Sequence, residues 1–207
     1  MVGYKLNGAL FEVLSGNFTG AQKDVKDAGN FMTDRDLEGE AATILALASD
    51  TAQAQKLADD LSKRFPESTC IRFGFLPATR AALATREGKL DQGVKYLSDV
   101  SSHEFIGSPN QVTPPMVPVY VSGETYLAAH QGAQAAAEFQ MIVDHAGFVV
   151  NMPVGSLAHL GLARAYVLEG DTAKAKTAYQ DFLTLWKDAD PDIPILKQAK
   201  AEYAKLQ

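Results

Sequence analysis

The chain has 207 residues, 46% of them apolar and 21% charged, the composition of a folded domain with its own core rather than of a disordered tail. Its single cysteine, Cys70, excludes a disulfide framework and a multi-thiolate metal site, and a net charge of −6 argues against a broad electrostatic grip on nucleic acid. No apolar run approaches the roughly 20 residues of a membrane span, and Met1-Val2-Gly3-Tyr4-Lys5 lacks the basic-then-apolar order of a signal peptide.

Helix formers dominate, and β-branched alternation is confined to residues 117–121. This predicts an all-α chain, about two-thirds helical or more, against about a third for an average domain. In chain order, a first unit over 4–30 carries Ala9, Gly16-Asn17, Ala21, Val25 and Ala28. A second over 35–66 carries Ala42, Leu45, Ser49-Asp50, Ala54, Ala58 and Leu61, closed by Pro66. A third over 71–102 has Ala81, Ala84, Gly88, Gly93, Leu97 and Val100. Residues 101–118 then hold Gly107, Pro109, Pro114, Pro115 and Pro118, so they cannot form one helix. A fourth unit over 116–146 has Gly123, Tyr126, Ala135, Phe139 and Ile142, with His130 where the turn glycine belongs. After the short irregular stretch 145–155, a fifth over 156–188 has Ala163, Tyr166, Gly170-Asp171, Ala175, Tyr179 and Phe182. Pro191 and Pro194 stop one helix and start another over 193–207, with Ile195, Leu196, Ala199, Tyr203 and Leu206 on one face and Lys197, Lys200 and Lys205 elsewhere.

Each residue type has a mechanical reason. Ala163 and Ala175 let two antiparallel helices approach closely. Tyr166 and Tyr179 fill the space toward the neighbouring pair. Gly170 supplies the left-handed residue that ends the first helix, and Asp171 or Thr172 caps the second. The turn positions Gly16, Ser49, Gly88, His130 and Gly170 lie 33, 39, 42 and 40 residues apart. This order resembles the tetratricopeptide repeat (TPR), whose period is about 34. The resemblance implies a single domain: a right-handed α-solenoid of about five TPR-like helix pairs with a C-terminal capping helix, apolar inside and polar outside.

The second half is similar to a narrower group. The segments Val119-Tyr120-Val121-Ser122-Gly123-Glu124-Thr125-Tyr126, Leu157-Ala158-His159-Leu160-Gly161-Leu162-Ala163-Arg164 and Pro191-Asp192-Ile193-Pro194-Ile195-Leu196 resemble the C-terminal TPR region of bacterial, eukaryotic-like serine/threonine kinases and related winged-helix regulators. The likeness runs over about 37–207. It implies a sensory or partner-binding part of a signalling protein. The chain departs from such proteins in having no glycine-rich strand-loop, no His-Arg-Asp and no Asp-Phe-Gly, so it implies no catalysis here.

The remaining chemistry reads as structural. His103, His130, His145 and His159 have no helical metal spacing, and none belongs to His-Glu-x-x-His. Cys70, near Lys63, Arg64 and Arg72, reads as a small buried thiol with no paired base. Asp34-Arg35-Asp36 and Asp59-Asp60 read as solvated faces, and 188–192 lacks the glycine and distal glutamate of a calcium loop. No glycine-rich phosphate loop occurs. The expectation is therefore a chain without enzyme activity, metal or cofactor.

In the TPR resemblance the first helix of each pair lines the concave groove. That register places Leu47, Ala82, Thr85, Arg86, Tyr120, Glu124, Leu127, Ala128, Leu160, Arg164, Val167 and Leu168 there, with Thr43, Ala46 and Ala78. Arg86, Tyr120, Glu124 and Arg164 are the polar anchors, and Arg164 and Glu124 are close enough in register to pair across adjacent units. The predicted function is a non-catalytic scaffold that binds a peptide or partner protein in the groove. The alternative is a small-ligand sensor with the 101–118 loop, through Phe105, Ile106, Val112 and Met116, closing a pocket over it. Arg80 stands where the repeat prefers an apolar residue. No nucleic-acid partner and no membrane insertion are expected, and no motif specifies a compartment.

Overall fold

Five left-handed residues organise the backbone. In the computed structural model, which describes residues 2–29, 34–97, 116–149 and 152–207, positive φ occurs at Gly16 (92°), Ser49 (65°), Gly88 (74°), His130 (56°) and Gly170 (78°). These are the five turn positions read from the sequence. Each ends one helix and starts the next in the same way. The following residue donates its N–H to the carbonyl five residues earlier: Asn17 to Glu12 at 2.8 Å, Asp50 to Leu45 at 2.9 Å, Lys89 to Ala84 at 2.8 Å, Gln131 to Tyr126 at 2.9 Å and Asp171 to Tyr166 at 2.9 Å. This bond satisfies a carbonyl that the ending helix leaves without a partner. Asn17, Asp50 and Asp171 then cap the second helix, accepting from the N–H of Gly20, Gln53 and Lys174 respectively.

The resulting hairpins are α1 (Val2–Ser15) with α2 (Phe18–Gly29), α3 (Arg35–Leu47) with α4 (Thr51–Arg64), α5 (Leu76–Arg86) with α6 (Leu90–Leu97), α7 (Val117–Ala128) with α8 (Gly132–Asp144), and α10 (Pro153–Leu168) with α11 (Thr172–Leu185). A short α9 (Ala146–Val149) joins α8 to α10, and α12 (Pro194–Ala204) follows the last hairpin. Among the described residues there is no strand; the β-branched run at 117–121 is helical and buried within α7. Pro77 sits inside a continuous helical stretch, and the turn just before it, Ile71–Phe75, widens to a π-helix. A proline has no N–H for the regular ladder, and the wide turn absorbs that break. The expectations for Val100, His103 and the loop 101–115 lie outside the described residues. Met116, assigned above to a pocket-closing loop, is instead fully buried at the head of α7.

The first helices of consecutive hairpins pack on each other in the order α1, α3, α5, α7, α10. The second helix of each hairpin also packs on the first helix of the next: α2 on α3, α4 on α5, α6 on α7 and α8 on α10. The inner row then curls until α10 touches α1, and α12 bridges the two ends by packing on both α11 and α1. At this closure a Cβ on Gly16 would lie 3.1 Å from Cβ of Pro194. Leu196 and Ala199 of α12 are buried, while Lys197, Lys200 and Lys205 are exposed.

The tightest junction joins the fourth and fifth hairpins. Phe139 of α8 is fully buried, its ring wedged between Gly123 of α7 and Gly161 of α10. A Cβ on Gly123 would come within 2.6 Å of that ring, and one on Gly161 within 2.5 Å. Tyr166, by contrast, is only half-buried, with the Lys174 ammonium 5.3 Å from its ring centre. The large fillers of this region are Phe139, Tyr179 and Phe182, so the weight that the repeat pattern gives to Tyr166 is carried by its neighbours.

Two outcomes follow from this backbone. Ser49→Gly and His130→Gly each relieve an L-residue held in a left-handed turn and should each stabilise the chain by about 1 kcal/mol. That corresponds to a rise of about 2–4 °C in melting temperature, and thermal denaturation checks it. Gly161→Ala should instead destabilise by roughly 1–3 kcal/mol, because the ring it meets is already held by Gly123 on the other side. A denaturant midpoint equal to wild type would mean that the wedge is slack.

Candidate functional site

The curl of the inner row encloses a cavity of about 670 Å³, open on one side. Every first helix supplies part of its wall: Val13 and Leu14 from α1, Leu47 from α3, Arg86 from α5, Tyr120 and Glu124 from α7, and Arg164 from α10. Pro194, Ile195 and Gln198 of α12 complete it. The four polar residues singled out from the sequence thus come together on one cavity. Other members of the same register go elsewhere. Leu127, Val167 and Leu168 line a smaller apolar hollow beside Arg164 and the end of α12, and Thr43, Ala46, Ala78 and Leu160 are buried in the packing. Thr43 hydrogen-bonds the Thr79 hydroxyl at 2.9 Å between α3 and α5.

The contributions of α1 and α12 were not in the sequence reading. Val13 and Leu14 belong to an apolar stripe that could have been extended to the end of α1. The part played by Ile195 and Gln198 depends on ring closure between segments nearly 180 residues apart, for which the local pattern has no signal.

Arg164 is held in a two-pronged ion pair. Its Nε donates to Glu202 Oε2 at 3.0 Å and its Nη2 to Glu202 Oε1 at 3.1 Å, while the Tyr179 hydroxyl donates to the same carboxylate at 3.0 Å. The partner of Arg164 is therefore a glutamate of α12, not the Glu124 that register had placed beside it. This fork ties α12 across the inner face of α10, and its planar geometry suits a bidentate grip. The buried Tyr179 phenol is pushed well above its usual range, first by burial and then by the Glu202 charge.

Glu124 is half-buried on the wall of the same cavity, facing the Tyr120 hydroxyl and the Arg164 and Arg86 guanidiniums. Its carboxyl is raised above the ordinary carboxylate range. Burial is the main cause, and the charges of Arg164 and Arg86 and the Tyr120 hydroxyl only partly offset it. Tyr120 is buried with its ring edge-on to Phe139 at 5.8 Å, and its phenol is raised by burial and by the Glu124 charge. Arg86 stands exposed at the mouth, donating to the Leu47 carbonyl at 2.6 Å and lying over the Phe18 ring at 5.2 Å.

The other sequence candidates are scattered. His130 occupies a turn, His145 Nδ1 contacts the Met141 carbonyl at 2.8 Å, and His159 lies 3.9 Å from Asp181. Cys70 is half-buried, with its thiol raised by burial and by the Asp36 charge. Arg80 lines an outer hollow with Phe65, Pro77 and Tyr96, on a different side from the central cavity. Among the described residues no cluster of three His, Cys, Asp or Glu has a geometry for a metal ion. No helix among them is long and apolar enough to cross a membrane. Compared with protein-family models, curated proteins and solved structures, the chain matches none.

Glu124 carries a stability–pH signature. A carboxyl whose folded value is raised favours the folded state only while protonated, so its contribution is present at acid pH and lost as pH rises through the folded value. The groups facing it are Tyr120 on α7, Arg86 on α5, Arg164 on α10 and Glu202 on α12, and the arginines stay charged throughout. Glu124→Gln should therefore melt higher than wild type at neutral pH, and the gap should close as pH falls below the ordinary carboxylate range. A lower melting point for the variant at neutral pH would contradict this account.

Proposed function

We propose that the chain is a TPR-like, right-handed α-solenoid acting as a non-catalytic binding module, which takes a peptide segment of a partner protein into its central cavity. The observation that supports this is the convergence of Arg86, Tyr120, Glu124 and Arg164 from three neighbouring first helices onto one cavity of about 670 Å³. Five turns with one hydrogen-bond pattern support the repeat architecture. The cavity combines aliphatic walls with a few charged groups, as a peptide side chain requires. The buried phenol and the exposed guanidinium are residue types that recur as interface anchors. A sensory or partner-binding part of a bacterial signalling protein is the setting that the family resemblance suggests for such a module.

A small-ligand sensor is the second reading. It is favoured by the closure of the inner row through α12, which leaves a cavity within the size range of small-molecule sites, about 300–1,000 Å³.

The test begins with isolating a partner on the wild-type chain and mapping its bound segment. Calorimetric titration of that segment against Arg86→Ala and Tyr120→Phe should show affinity weakened about 10- to 30-fold. His130→Gly, on a turn outside the cavity, should bind as wild type does. Unchanged affinity in both cavity variants would remove this cavity as the partner site.

A further inference from the structure

Arg80, to which the repeat pattern gives no packing role, stands on the outer hollow of about 800 Å³ between α4, α5 and α6. It is half-buried, and its guanidinium makes no hydrogen bond or ion pair among the described residues. Four other arginines are each held by an acceptor: Arg35 by Asp36, Arg64 by Glu38 and Asp60, Arg86 by the Leu47 carbonyl and Arg164 by Glu202. The remaining one, Arg72, lines the same hollow as Arg80. Its guanidinium lies 5.0 Å from the centre of the Phe73 ring and likewise has no ion pair among the described residues.

The backbone turns these two arginines to one face. Eight residues separate them, whereas two turns of a regular helix take about seven. The π-turn over Ile71–Phe75 takes up about one more, so Arg80 comes round to the face of Arg72 instead of past it. From α6, Lys95 joins the wall. Asp91, the carboxylate lining the hollow among the described residues, is exposed and forms no ion pair with Arg72, Arg80 or Lys95. A chain of net charge −6 thus gathers three cations against one anion at this place. Phe65, Pro66, Pro77 and Tyr96 supply flat apolar walls, and the Tyr96 hydroxyl, accepting from Gln92 Nε2 at 2.8 Å, keeps its own proton to donate.

We propose that this outer hollow binds a phosphate monoester on an aromatic body, with the phosphate on Arg72 and Arg80 and the ring against Phe65, Pro66 and Tyr96. A carboxylate has two oxygens, enough for one guanidinium fork. Two guanidiniums and an ammonium on one hollow offer more donors and more charge than that, and a phosphate dianion answers with three terminal oxygens and up to two charges. The proline and aromatic walls suit a flat ring. The site lies on a different side from the central cavity and goes beyond the partner reading.

Phenyl phosphate, inorganic phosphate and phenol are titrated against the full chain, with the amide signals of Arg72, Arg80 and Tyr96 followed by nuclear magnetic resonance. Phenyl phosphate should shift these signals saturably, and the other two should bind more weakly. Arg80→Gln and Arg72→Gln should each weaken phenyl phosphate about tenfold or more, the scale of losing a charged hydrogen bond. Thermal melting confirms that the variants are folded, and the phenol arm tests the idea on wild-type protein alone. Lys63→Gln, an exposed cation that does not line the hollow, and Arg86→Ala in the central cavity should bind as wild type does. A capped phosphotyrosine peptide carries the same chemistry on a protein. Binding tighter than phenyl phosphate assigns the site to a modified side chain of a partner, weaker binding assigns it to a free aromatic phosphate, and either upholds it. No saturable shift with phenyl phosphate, phenol binding as tightly, unchanged binding by Arg80→Gln, or an equal loss in Lys63→Gln overturns the site. Inorganic phosphate binding as tightly overturns the aromatic body. Loss in Arg86→Ala but not in Arg80→Gln moves the anion to the central cavity, which overturns this inference and leaves the partner reading standing. An intact phenyl phosphate response with an unchanged partner titration of Arg86→Ala and Tyr120→Phe does the reverse.

Discussion

A single left-handed residue between two helices is the constraint on which the rest of this molecule depends. Without it the chain cannot reverse within three residues, and the two helices of a hairpin cannot face each other along their small residues. The turn recurs at Gly16, Ser49, Gly88, His130 and Gly170 with one hydrogen-bond arrangement. Because each turn reverses the chain alike, every first helix lands on the same side. The row α1, α3, α5, α7, α10 then becomes a common inner wall, and the cavity is what that wall encloses. That two of the five residues are not glycine means the backbone geometry is imposed even where the residue resists it.

The electrostatics of the inner wall divide into a bidentate pair that serves closure and a glutamate that lines the cavity. Arg164 with Glu202 and Tyr179 serves closure, since it joins α10 and α11 to α12. Glu124 lines the central cavity, half-buried and facing the Arg164 and Arg86 guanidiniums and the Tyr120 hydroxyl. The two glutamates have the same chemistry, but Glu202, on the smaller hollow, has a guanidinium fork within 3.1 Å, and Glu124, on the central cavity, does not. Packing therefore assigns their different roles, not residue type.

Much of this was readable from local spacing. The turn positions follow from small or left-handed-tolerant residues at regular intervals, since Gly16, Gly88 and Gly170 announce themselves and Ser49 and His130 fall where the period requires. The cavity register of α5, α7 and α10 follows from the period of a helix. What spacing does not carry is contact between distant segments. Arg164 looked paired to Glu124 because sequence offers only neighbours in the repeat, whereas its partner, Glu202, approaches from a helix that crosses the array. Tyr166 looked like core because its type fits, but the Phe139 ring between two glycines takes that volume. Met116 looked available to a loop, and the hydrophobic effect instead spends it on the head of α7.

The meeting of α12 with α1 also changes how the molecule comes apart. In an open stack of repeats the outermost units have one neighbour each and fray first, so protection against amide exchange falls toward the ends. Here the first hairpin is held by α3 on one side and by α10 and α12 on the other. The last hairpin is likewise buttressed by the first. With no outermost unit to peel away, the first loosening of the array must break a lateral seam, and the Gly16–Pro194 contact is the seam whose opening turns a loop of hairpins back into a line.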